Sequence, residues 1–68
     1  MVDKKRIFEN PNFVDPEGNT FYLRHEVEGK SITTYLDEEV AGVMINLNEK
    51  EIESNIKYFL ENGCKEIV

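Results

Sequence analysis

The sequence predicts an α+β domain: a small antiparallel sheet of three to four strands, with a hairpin over about residues 20–37, and one amphipathic helix over about 49–62 packed on one face. Three observations carry that prediction. Apolar and polar residues alternate from Phe21 to Glu28 and again from Ile32 to Leu36, with a glycine turn between them. The stretch Leu47–Gly63 repeats its apolar residues at helical spacing and carries signals for both helix ends. Between and before these stretches lie clusters of Pro, Gly, Asn and Asp, the residues that punctuate a chain.

In the hairpin, Phe21, Leu23, His25 and Val27 alternate with Tyr22, Arg24, Glu26 and Glu28. Gly29-Lys30 suits a two-residue turn with glycine at its first central position. That register sets Val27 opposite Ile32, His25 opposite Thr34 and Leu23 opposite Leu36, all on one face. Tyr22, Arg24, Glu26, Thr33 and Tyr35 then share the other. A slip of one residue would destroy the match, so one register is strongly preferred.

The segment at residues 38–46 reads two ways. Leu36, Val40, Val43, Met44 and Leu47 fit a helical stripe with Asp37 as N-cap. Gly42, the β-branched Val40, Val43 and Ile45, and the closeness of the next helix favour a turn at Asp37–Glu39 and a strand from about Ala41 to Leu47.

The helix is the best specified element. Asn48 is the expected N-cap, with Glu51 at the third helical position completing a capping box, and Leu47 and Ile52 are spaced as a hydrophobic staple. Glu49, Glu51 and Glu53 sit near the positive end of the helix dipole. Ile52, Ile56, Phe59 and Leu60 form the apolar stripe, and Gly63 is the expected left-handed residue beyond the end. "CKEIV" reads as a short last strand beside the hairpin strands. Towards the N-terminus, residues 1–10 are expected to be loosely held, with Ile7 and Phe8 as anchors. "DPEGN" (Asp15 to Asn19) reads as a turn joining a short strand around Phe13-Val14 to the hairpin. Its acidic residues lack the later bidentate Glu and the spacing of a calcium loop.

Sixty-eight residues make one small domain, 1–68, and a chain this short buries only about 60% of its unfolded surface. A single cysteine, Cys64, allows no internal disulfide, and a lone histidine without a Cys-x-x-Cys pair offers no metal site. No cofactor is expected. Packing and self-association remain as supports, and exposed sheet edges point to a homodimer. The composition, 40% hydrophobic and 32% charged, is that of a folded soluble domain, without an apolar run long enough for a membrane span. The free thiol and the lack of a secretory h-region in "MVDKKRIFENPNF" suggest a cytoplasmic setting.

Charge narrows the function. The formal net charge is −6, and it is unevenly placed: residues 1–34 hold six acids against five bases, residues 35–68 eight acids against three lysines. A phosphate-binding surface needs the opposite sign, so direct nucleic-acid binding is disfavoured. Single scattered glycines form no phosphate cradle. His25 and Cys64 are the only residues offering a base and a nucleophile, and nothing in the sequence places them together. A half-buried histidine hydrogen-bonded to Thr34 and a small buried thiol account for both, so no catalytic residue is assigned. The preferred reading is a non-enzymatic acidic binding or regulatory module acting by protein–protein contact. Its sharper form is an acidic inhibitor of a basic or nucleic-acid-binding surface, with Glu38, Glu39, Glu51, Glu53, Tyr22 and Tyr35 as partner-binding residues. The alternative is a small enzyme or enzyme subunit using His25 or Cys64. A strand-turn-strand followed by a capped helix occurs in many unrelated folds and carries no functional weight by itself.

Overall fold

The computed structural model describes residues 5–67. The fold is α+β. Strands β1 (Arg6–Val14), β2 (Thr20–Glu28), β3 (Ser31–Leu36) and β4 (Glu39–Met44) precede helix α1 (Glu49–Glu61) and strand β5 (Lys65–Ile67). All neighbours are antiparallel, in the order β4-β3-β2-β1-β5. The helix therefore leaves one edge strand and delivers the chain to the other. Four inter-strand spacings come to about 19 Å, and 13 helical residues at ~1.5 Å rise come to about the same. The helix is as long as the sheet is wide.

The β2–β3 register is the one the alternation demands: Val27↔Ile32, His25↔Thr34 and Leu23↔Leu36. Gly29 takes φ +59 at the first central position of the turn, in the region where a Cβ would be strained. The ambiguous segment is a strand, β4, beginning at Glu39 rather than Ala41. The turn before it is formed by Asp37 and Glu38 alone, with φ of 50 and 70. Both central residues thus have positive φ, the requirement of a tight hairpin turn that matches strand twist. Asp37 holds the corner together: its N–H donates to Tyr22 O at 2.9 Å, and its Oδ1 accepts the Tyr22 N–H at 2.9 Å.

The N-terminal expectation is corrected. Residues 6–10, expected to be loose, form the first half of β1, paired with β2 on one side and with β5 on the other; residues 1–4 lie outside the described residues. The strand read around Phe13-Val14 is the end of this same β1, whose first half Pro11 and the flanking asparagines conceal in the sequence. The β1–β2 register shifts between Asn10 and Phe13, and β5 pairs only with Ile7, Phe8 and Glu9. Pro11 therefore sits at an irregularity beyond the reach of β5, where the missing N–H breaks no ladder. Asn10 stabilises the irregular stretch by accepting the Asn12 N–H at 3.1 Å and donating from Nδ2 to Asn62 O at 3.3 Å. β5 accordingly lies beside β1 and not beside the hairpin strands. The "DPEGN" turn forms as read: Asp15 Oδ1 accepts the N–H groups of Glu17 (2.9 Å) and Asn19 (2.8 Å), and Gly18 has φ +88.

Both helix ends follow the sequence signals. Glu51 N–H donates to Asn48 Oδ1 at 2.8 Å, and Asn48 N–H donates to Glu51 Oε1 at 3.0 Å, the reciprocal pair of a capping box. At the other end Cys64 N–H reaches Phe59 O (3.0 Å) and Gly63 N–H reaches Leu60 O (3.3 Å), with Gly63 at φ +88. These are the two bonds of a Schellman motif. The buried cluster joins Phe8, Leu23, Val27 and Ile32 of the sheet to Leu47, Ile52, Ile56, Phe59 and Cys64. Leu60, placed in the stripe by its spacing, is instead half exposed, so the buried stripe is narrower than read.

Candidate interaction surface

The side of the sheet opposite the buried cluster carries the charged and aromatic side chains. The pairings put Arg24 beside Tyr35 and Glu26 beside Thr33, and in the next strand Val40 beside Tyr35 and Val43 beside Thr33. The Arg24 guanidinium carbon lies 4.6 Å from the centre of the Tyr35 ring, and Arg24 Nε lies 3.2 Å from Glu26 Oε2. Lys5 Nζ approaches the other Glu26 oxygen at 3.2 Å, and that contact holds the ammonium above its ordinary pKa. Tyr22 donates its hydroxyl proton to Glu9, which raises the phenol's pKa. The centre of this face is a network of charged and aromatic contacts to which Tyr22 and Tyr35 both belong, with Arg24 Nε buried beside Glu26 but without a hydrogen-bond partner.

The periphery differs. β4 is an edge strand, and all six of its residues are exposed. Val40 (61%), Val43 (58%) and Ile45 (66%) keep most of their surface in water, and Met44 keeps 37%. From Val40 to Ile45 the strip contains no charge, while Asp37, Glu38 and Glu39 stand before it and Glu49, Glu51 and Glu53 after it. With six residues at ~3.3 Å rise, the two acidic groups are separated by about the length of the strand, some 20 Å. The acids at the helix start are not equivalent. The Glu51 carboxylate is committed to the cap, whereas Glu53, Glu38 and Glu39 are exposed. The partner-binding residues expected from the sequence thus fall into three places: Glu38 and Glu39 at one end of β4, Glu51 and Glu53 at the other, and Tyr22 and Tyr35 on the face between.

The apolar strip itself was not among them. Its signal is present in "VAGVMI", an uncharged run between acidic groups, but its exposure follows from β4 being last in the sheet order, which no local pattern encodes.

His25 is part-buried on β2 and Cys64 is buried just beyond the helix end. His25 Nδ1 is 2.8 Å from Thr34 Oγ1, and burial depresses the imidazole pKa to about 4. Cys64 is buried, and its thiol is held above the ordinary value by that burial. Among the described residues no group of His, Cys, Asp or Glu is arranged to hold a metal ion, and no helix is long and apolar enough to cross a membrane. No family model, curated protein or solved structure matches the chain.

Proposed function

We propose that this chain is a small non-enzymatic binding or regulatory module that acts by protein–protein contact. The observation that carries the reading is the exposed, uncharged β4 strip with acidic residues at both ends. A domain of this size gains most from burying Val40, Val43 and Ile45, and nothing among its described residues covers them. The acids at either end favour a partner with basic groups about a strand length apart, and an acidic inhibitor seated on a basic or nucleic-acid-binding groove is the sharper form of the reading. His25 and Cys64 are engaged with Thr34 and the core, so no observation favours the enzyme alternative.

The test is capture of a discrete partner from an extract of the native host by the tagged full-length chain, at low and high salt. Binding should weaken about tenfold or more at high salt and should fall in Glu38→Gln/Glu39→Gln. Turnover of a small molecule that is abolished in a stably folded His25→Gln or Cys64→Ser variant would overturn it.

A further inference from the structure

We infer that the β4 edge accepts an added strand: an extended partner segment with alternating apolar residues and Lys or Arg at both its ends. This inference rests on the binding-module reading and names the partner's chemistry.

An edge strand offers a row of backbone donors and acceptors to any passing strand, and proteins ordinarily blunt such edges with charge, proline, brevity or a bulge. The two edges of this sheet are treated differently. β5 is three residues long, two of them charged, and Glu66 is clamped by Arg6 through contacts of 2.7 Å from Nε and from the terminal nitrogen. β4 is twice as long, with no lysine, no proline and no charge after Glu39. Its one blunting feature is the bulge where pairing steps from Thr34↔Gly42 to Tyr35↔Val40, leaving Ala41 as the additional residue.

Addition of a strand would satisfy the free backbone groups of β4 and cover Val40 and Val43, which project from the same face as Tyr35. The flanking charge decides what the strand is. A two-fold axis that continues the sheet through β4 runs the two copies antiparallel. Asp37–Glu39 of one copy then lies beside Glu49–Glu53 of the other, acid against acid at both ends. A second copy is therefore the wrong occupant, and a segment with basic ends is the right one.

The probe is a display library of random linear peptides, selected on the immobilised full-length chain, with the enriched peptides then synthesised. The expected peptides alternate apolar residues between Lys or Arg ends. On binding, backbone amides within residues 40–45 should gain about tenfold or more protection from hydrogen exchange. Val43→Lys should weaken binding about tenfold or more, and its melting temperature serves as the folding control because Val43 is exposed. Glu38→Gln/Glu39→Gln should weaken it severalfold and reduce its salt dependence.

Enrichment of no such peptide, or protection confined to the helix or to β1 and β5, overturns the inference. So does a dimer mass in sedimentation equilibrium with concentration-dependent protection at 40–45, which would make a second copy the occupant. A host partner that is captured but protects other amides removes this inference and leaves the binding-module reading standing; absence of any partner removes both.

Discussion

The imidazole of His25 lies flat on the ring of Phe59, with centroids 3.7 Å apart and planes inclined by 5°. One ring comes from the second strand and the other from the last turn of the helix, so this stack joins the two layers. Phe8 completes it from the far side of β2, its ring centroid 5.9 Å from that of Phe59 and tilted by 53°. A charged imidazolium in this position would lose water without gaining an anion, since its Nδ1 partner is the neutral hydroxyl of Thr34.

That arrangement makes stability depend on pH. His25 titrates at about 4 in the folded chain and near its ordinary 6.5 when unfolded. Between those values the unfolded chain holds the additional proton, so stability falls as pH drops from 6.5 to 4 and the histidine's contribution is flat on either side. The loss is about 2 kcal/mol after allowance for solvent screening of a partly exposed ring. Asp15 and Glu66, lowered by the Asn19 amide and by Arg6 respectively, add losses at the acid end of the range. Denaturant melts from pH 4 to 7 should therefore show a slope that His25→Gln removes above pH 5. An NMR titration placing the His25 midpoint near its ordinary value would contradict the account.

Phe59→Ala should cost about 3–5 kcal/mol and Ile56→Ala about 2–5 kcal/mol, since both side chains are buried in the core cluster between helix and sheet. Domains of this length hold only a few kcal/mol in total, so either variant approaches complete unfolding. Phe59→Leu separates packing from stacking: most of the apolar area stays and the ring contact goes, so the His25 midpoint, which burial holds down, should stay low while the melt falls less than in Phe59→Ala. Melting curves and the histidine titration of the three variants check this together, and three wild-type melts would remove the helix from the core.

How much of this was legible follows from where each signal resides. The β2–β3 register and both helix caps depend on residues a few positions apart, and Val27, Ile32, Asn48, Glu51 and Gly63 are placed as their spacing requires. The end of β1 at Phe13-Val14 was legible, but its first half was hidden because its pairing is broken around Pro11 and its second neighbour, β5, lies over fifty residues away. The β4 strip was legible as a strand but not as a surface, because exposure is a property of sheet order. Leu60 failed for a similar reason: spacing puts it at the border of the stripe, and only the extent of the opposing sheet decides on which side it falls.

Glu38 occupies φ 70 in a turn whose other central residue, Asp37, is also left-handed. Asp37 is compensated by its hydrogen bonds with Tyr22, and glutamate has no such device. Glu38→Gly should therefore stabilise the domain by about 0.5–1 kcal/mol, relief of backbone strain outweighing the added freedom of the unfolded chain. Glu38→Ala, which keeps the Cβ, should give no such gain. Thermal melts of the pair decide the point, and equal melting temperatures would mean that the turn is not strained at this residue.

The helix start tests whether one carboxylate serves the fold or a partner. Asn48→Ala should cost about 0.5–2 kcal/mol by leaving the Glu51 N–H without its acceptor. Glu51→Gln retains an oxygen that can accept the Asn48 N–H, so it should change stability by less than about 0.5 kcal/mol, whereas Glu51→Ala loses the reciprocal bond and about 1 kcal/mol. Glu53, two residues further on and exposed, makes no contribution to the cap. If the acidic end of β4 contacts a partner through charge, Glu53→Gln should weaken partner capture while leaving the melt unchanged. Glu51→Gln should weaken it less, because the Glu51 carboxylate is already engaged with the backbone. Equal and undiminished capture by both variants would assign these glutamates to the helix alone, as dipole and cap, and would leave Glu38 and Glu39 as the acids that face a partner.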